Sequence, residues 1–183
     1  MIILDIDQDY FFLPSLSGEI IESPIEREKK MYLAECQTED VIRKFGIKNF
    51  KSKVFSGNDH DFVYYTLKSS NVRNATLIHI DAHSDVEYKK ELSKVNIGNW
   101  ISHLAVEGII NKNIIWVNQT TEKPYTRKFT HKNVDYYLHT SRLNDLKFCN
   151  KIDAIFYTRS IEFCPPNSKE IEFYNNIGLR FYS

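Results

Sequence analysis

An α/β domain built on a mainly parallel sheet is the fold class this sequence predicts. Aliphatic, strand-like runs alternate along the chain with segments of helical periodicity, the pattern of βα units. The central runs, such as Leu77, Ile78 and Ile80, lack polar alternation and suit strands covered on both faces. Acidic and imidazole side chains gather just after two of these runs, where open α/β sheets place their ligands. The 183 residues are enough for one substantial core, so a single domain over 1–183 is expected.

In chain order, residues 2–7 read as a short buried strand ending in Asp5, Asp7 and Asp9. Residues 8–22 begin with Tyr10, Phe11 and Phe12 and continue through Pro14, Ser15, Ser17 and Gly18, which suits a loop. Ser23-Pro24-Ile25-Glu26 carries a helix start, with an N-cap serine, proline at N1 and glutamate at N3. Helical patterning then runs towards Phe45 with a restart at Thr38 and a stop at Gly46. Val54 and Phe55 form a brief strand, and 56–60 is a turn feeding a helix to about Ser69. The run 76–80 is the central strand. After a polar loop, 97–105 reads as a helix ending by Gly108, and 113–118 as another buried strand. Residues 120–133 read as irregular and basic, 134–139 and 154–158 as strands, and 168–176 as the last helix.

Composition excludes several classes. Lys plus Arg and Asp plus Glu both number 24, giving zero formal charge and a pI near 7.0, so no basic surplus points to nucleic acid or an anionic membrane. Cys36, Cys149 and Cys164 are odd in number and widely spaced, which argues against a disulfide framework or a structural zinc site and favours a reducing compartment. The apolar start is followed at once by acidic residues, unlike a signal peptide. No apolar run approaches the roughly 18 residues of a membrane span. A soluble, cytoplasmic protein is expected.

The run 76–80 ends in Asp81-Ala82-His83-Ser84-Asp85. Were the strand to continue, Asp81 and Asp85 would stand about 13 Å apart, too far to grip one centre. The strand therefore stops near Asp81 and the chain curls back. Asp5, Asp7, His60, Asp81, His83 and Asp85 are the candidate metal ligands. Their four carboxylates and two neutral imidazoles carry charge −4, which two divalent cations balance. Carboxylate-rich O/N donors favour Mn²⁺, ahead of Fe²⁺ or Zn²⁺. Two such ions generate hydroxide near neutral pH, a hydrolase's nucleophile. Each part has a blander explanation: Asp-x-Asp as a cap or turn, His60 as a helix cap, and Tyr10, Phe11 and Phe12 as core rather than the wall of an entrance.

The DAHSD at 81–85 resembles the Asp-Ala-His-x-Asp signature of arginases and related ureohydrolases. Gly57-Asn58-Asp59-His60 resembles their Gly-Gly-Asp-His segment, and LDID at 4–7 a third signature in which Asp-x-Asp ends a strand. In arginases that strand lies near the carboxyl end, so the resemblance implies a circularly permuted, three-layer αβα fold of the arginase/deacetylase type. LDIDQDYF, HIDAHSD and Gly98-Asn99-Trp100-Ile101 look more like a small bacterial arginase-related family. Some of its members are peptide arginases, which convert arginine side chains of ribosomally made precursor peptides into ornithine and urea. Residues 158–166 are a weaker match.

That resemblance implies a pair of Mn²⁺ ions on the same six ligands and an arginine-containing peptide or guanidino substrate. Asp7 counts among both ligands and catalytic groups. The family's proton-shuttling histidine sits in Gly-Asn-Leu-His-Gly. Here Trp100 follows Gly98-Asn99, leaving His103 as the nearest acid/base, with a core or surface role as the alternative. Asp9 can orient a guanidinium by a bidentate bond, Glu162 is a second candidate, and Glu22 and Glu26 are further ones. Two other readings are an agmatinase-like or deacetylase-like C–N hydrolase and a non-catalytic metal- or peptide-binding module.

Overall fold

The computed structural model describes residues 1–13, 23–33, 38–47, 53–89, 91–147 and 152–165. The helix expected at 168–176 lies outside the described residues, as does Glu22. Strands are β1 (Ile2–Asp7), β2 (Phe12–Leu13), β3 (Tyr32–Leu33), β4 (Lys53–Gly57), β5 (Thr76–Ile80), β6 (Asn113–Val117), β7 (Tyr125–His131), β8 (Val134–Ser141) and β9 (Ala154–Thr158). Helices are α1 (Pro24–Lys30), α2 (Thr38–Phe45), α3 (Asp61–Ser69) and α4 (Trp100–Val106). Seven strands form one sheet in the order β4-β9-β1-β5-β6-β8-β7. All neighbours are parallel except β7, which pairs antiparallel with β8. A mainly parallel α/β fold is what the alternating runs predict.

Helices cover both faces of the sheet. On one face Leu4, Ile6, Ile78, Ile80 and Ile155 meet Val41, Ile42 and Phe45 of α2. On the other, Ile3, Leu77, Ile114 and Phe156 meet Val63 and Leu67 of α3 and Ile101 and Leu104 of α4. Successive residues of β1 and β5 thus face opposite layers, as the pleat requires. Full burial of each such side chain contributes about 1.5–3 kcal/mol. The same alternation sends Asp5 and Asp7, like Ile3, to the α3/α4 face, and His79 follows Leu77.

Local signals place the boundaries. Ser23 and Glu26 form the reciprocal capping box at α1, so Glu26 serves its own helix end. The helical patterning past Pro24 divides in two, because α1 stops at Lys30 and β3 intervenes before α2. Gly46 and Gly108 follow α2 and α4 with φ of +63° and +69°, left-handed positions that glycine adopts without a Cβ clash. One expectation is corrected: residues 120–133 are not irregular throughout, because β7 makes a full hairpin with β8. Lys132 and Asn133, both at positive φ, form its turn. Among the described residues no helix is long and apolar enough to cross a membrane.

Candidate metal centre

The site lies past the carboxyl ends of β1, β4 and β5. At β5 the strand ends where the sequence requires it to. Asp81 donates its backbone N–H to Val117, and its Oδ1 then accepts the N–H of His83 at 2.6 Å, an Asx-type turn that reverses the chain. Asn118 Nδ2 donates to the Ala82 carbonyl at 2.8 Å, pinning the loop to the neighbouring strand. Asp85 adopts φ +49°. Asp81 and Asp85, about 13 Å apart on an extended strand, instead both reach His60 Nδ1, at 3.2 and 3.1 Å.

After β1 a 3-10 turn spans Gln8–Phe11, with Asp7 Oδ1 accepting the Asp9 N–H at 3.2 Å. The turn swings Asp9 out of the strand line until its Oδ2 stands 2.8 Å from His83 Nδ1. His60 stands at the N-terminal boundary of α3, after the turn from β4, and its side chain makes no capping bond there. Gly57 permits that turn, since a Cβ there would fall 2.4 Å from Phe62 Cδ1.

Among the described residues, four overlapping groups of side chains could hold a cation, Asp5-His60-His79, Asp7-His60-Asp81, Asp9-Asp81-His83 and His79-Asp81-Asp85, and the two whose members all face the cavity are those of Asp7 and Asp9. Around His60 Nδ1 lie one oxygen each of Asp7, Asp81 and Asp85, at 3.1, 3.2 and 3.1 Å. A second cluster joins Asp9, Asp81 and His83, and Asp81 serves both: Oδ2 faces His60 while Oδ1 lies 3.5 Å from His83 Nδ1. Asp5 sits one layer deeper. Its Oδ2 accepts from His79 Nδ1 at 2.7 Å and faces His60 Nε2 at 3.2 Å. His79 Nε2 in turn reaches the His83 carbonyl at 3.1 Å.

The donor set fits divalent cations. One ring nitrogen carries at most one proton, so His60 Nδ1 cannot satisfy three carboxylates by hydrogen bonding. Asp9 Oδ2, Asp81 Oδ2, Asp5 Oδ1 and His60 Nε2 are all buried without a geometrically sound hydrogen bond, although all but Asp5 Oδ1 lie within 3.2 Å of an oppositely polar atom. Separations of 3.1–3.2 Å between neighbouring donors match the edges, about 2.8–3.6 Å, expected of ligands about 2.0–2.2 Å from one cation.

Electrostatics agree. Burial, then repulsion from Asp9, holds the Asp7 carboxyl well above the ordinary range. Burial and the charges of Asp9, Asp7 and Asp85 do the same to Asp81. For Asp5 and Asp85, burial is outweighed by the histidines beside them, and both are held low. Burial opposes protonation of His60, yet Asp5 and Asp7 raise it well above its usual value. Asp81 and Asp9 likewise overcome burial and push His83 up to about 12. Such crowding of like charge is costly unless a cation compensates it.

A cavity of about 420 Å³ opens onto the clusters, walled by Ile97, Trp116 and Phe163 and bordered by Ser160. Ser160 Oγ donates to Asp7 Oδ2 at 2.5 Å from a left-handed backbone, φ +39°. Of the sequence candidates, Asp5 and Glu26 do not line the cavity, nor do His103 and Glu162. His103 binds the Ser93 carbonyl at 3.0 Å, and Glu162 is exposed. Two residues next to the clusters were missed in the sequence. His79 is a polar residue inside an aliphatic strand, two positions before Asp81 and hence on its face, which is the signal that could have found it. Trp100 donates its indole N–H to Asp85 Oδ2 at 2.6 Å, and nothing in its local pattern separates it from core.

A model of the Arginase family matches residues 18–155 of the chain, a span that contains His60, Asp81, His83, Asp85 and Trp100. No curated protein and no solved structure matches it.

Proposed function

This chain belongs to the arginase family, and on that premise we propose that it hydrolyses the guanidinium of arginine residues in a peptide, giving ornithine and urea. The observation that carries this reading is the pair of ligand clusters sharing Asp81 at the floor of an open cavity. His60, Asp7, Asp81 and Asp85 would hold one cation, and Asp9, His83 and Asp81 the other. Mn²⁺ suits this oxygen-rich set ahead of Fe²⁺ or Zn²⁺. On this assignment Asp5, Asp7 and Asp9 divide the roles at the end of β1: Asp5 supports, and the other two ligate. When bound, divalent cations would lower the pKa of water at the site and offset its negative charge.

The chain's own residues do the rest. The carboxylates attract the cationic guanidinium into the cavity, and Trp116 and Phe163 offer aromatic faces on which its plane stacks. Ile97 and Phe163 add apolar surface to the wall of the cavity. Ser160 fixes one oxygen of Asp7. A peptide substrate is supported by two further hollows that border the cavity. One, of about 570 Å³, shares Gly98 with it, and another, of about 410 Å³, shares Trp116. A circular permutation relative to arginases is supported by β1, which carries Asp-x-Asp yet pairs directly with β5.

One observation favours a second reading, a metal-dependent peptide-binding module without turnover. Ile101, fully buried, stands where the family signature has its proton-shuttling histidine, and among the described residues the histidines lining the cavity are His60 and His83. Incubating the Mn²⁺-loaded protein with arginine-containing peptides, free arginine, agmatine and acetyl-lysine separates the cases. The expected result is urea, with the mass of ornithine in place of arginine in a peptide. Hydrolysis of agmatine or acetyl-lysine with peptides unchanged, or binding without any turnover, would overturn it.

A further inference from the structure

The ligand loop after β5 is held by a residue of a different element. Trp100 opens α4 and is fully buried. Its Nε1 donates to Asp85 Oδ2 at 2.6 Å, and that same oxygen lies 3.1 Å from His60 Nδ1. The indole plane is tilted only 33° from the His60 ring, with centroids 5.3 Å apart, and stands at 82° to His79 at 5.6 Å. The start of α4 is itself tied to the chain leaving Asp85. Asn99 Nδ2 donates to Ser93 Oγ, the Lys94 carbonyl and Glu87 Oε2 at 2.8, 3.0 and 3.2 Å, and Ser102 Oγ accepts the Glu87 N–H at 2.9 Å.

We propose that Trp100 is a positioning residue of the metal centre, its indole N–H fixing Asp85 and its ring face fixing the plane of His60. The inference rests on the metal-centre reading above. An indole N–H is a donor only, so it cannot itself bind a cation. It occupies one lone pair of Asp85 Oδ2 and leaves the other aimed at the cluster. Asp85 takes a left-handed backbone, φ +49°, which aspartate visits more readily than most residues, and the indole N–H fixes its carboxylate on that turn. A phenylalanine in the same place would fill most of the volume but leave a buried carboxylate oxygen without that donor.

Trp100→Phe should therefore weaken Mn²⁺ binding by about 10–100-fold, the usual loss when a group orienting a ligand is removed. The loss should fall on the His60 cluster, so that titration calorimetry resolves a weakened step beside one closer to wild type. Ile101→Val is the comparison, a buried change in the same helix that takes no donor from Asp85; both ions should bind it as they bind the wild type. A second measurement uses the unaltered chain. With two tryptophans, the indole N–H region of a ¹⁵N spectrum holds two signals, assigned by Trp116→Phe. The Trp100 signal should move on saturation with diamagnetic Zn²⁺. Wild-type Mn²⁺ affinity in a folded Trp100→Phe, or an indole signal unmoved by saturating Zn²⁺, would overturn the inference while leaving the metal centre standing. A wild-type chain that binds neither ion would overturn both.

Discussion

Replacing Asp81 with asparagine should reverse the order of stability between variant and wild type according to whether metal is present. Ligand atoms of Asp81 and of Asp7, Asp9 and Asp85 lie within 4.8 Å in shared groups. Each pair of unit charges at that distance repels by about 3.5 kcal/mol at an effective dielectric near 20. Attraction to His60 and His83 offsets much of this, but the Asp81 carboxyl is still held well above its usual range, so its charge is a net cost without metal. Asparagine keeps the oxygen that accepts the His83 N–H. The metal-free variant should gain about 1–2 kcal/mol, or about 2–8 °C in Tm for a chain of this size. With Mn²⁺ at about 100 times Kd, each site adds about 2.7 kcal/mol to the wild type. Two sites add roughly 5 kcal/mol, a rise of about 10–20 °C. Asp81→Asn should show almost none of that rise. Melting both proteins in EDTA and in Mn²⁺ reads the two effects. A variant that melts below wild type in EDTA, or that keeps the Mn²⁺-dependent rise, would refute the shared role of Asp81.

Three further changes test the surroundings. Burial would raise the Glu87 carboxyl, but hydrogen bonds from Ser93 and Asn99 outweigh it and hold it at about 2 against 4.5. Its contribution is present above pH 4.5 and lost as pH falls towards 2, so Glu87→Gln should cost about 1–2 kcal/mol at neutral pH and lose its disadvantage on acidification, read from urea midpoints against pH. His103→Ala should leave metal content and peptide hydrolysis at wild-type levels, since His103 is bonded to Ser93; lost turnover with metal retained would restore it as the acid/base. Gly57→Ala should destabilise by about 1–3 kcal/mol, the usual cost of overpacking, because the new methyl meets Phe62; an unchanged urea midpoint would show that the ring moves aside freely.

What the sequence showed plainly was local. The run 76–80 and the two carboxylates beyond it sit within ten residues, so strand, break and loop follow from spacing. The capping box at Ser23 and the stop at Gly46 are equally short-range. What stayed hidden depended on neighbours distant in the chain. Asp9 continues an alternating acidic pattern that suggests one strand face, and only the 3-10 turn carries it to His83. His79 became a partner of Asp5 through the β1–β5 register, 74 residues apart. Trp100 looks like any buried aromatic until Asp85 is placed beside it. β7 was obscured for another reason: its first four residues are exposed on the sheet edge, and its turn uses Lys132-Asn133 rather than a glycine pair.

The most direct test is the metal content of four proteins after Mn²⁺ reconstitution and removal of free ion, measured by mass spectrometry of the metal. The wild type should retain two ions per chain, His60→Ala and His83→Ala one each, and Asp81→Asn none. A wild type without manganese, or His60→Ala and His83→Ala variants that each keep both ions, would contradict a two-metal centre joined through Asp81.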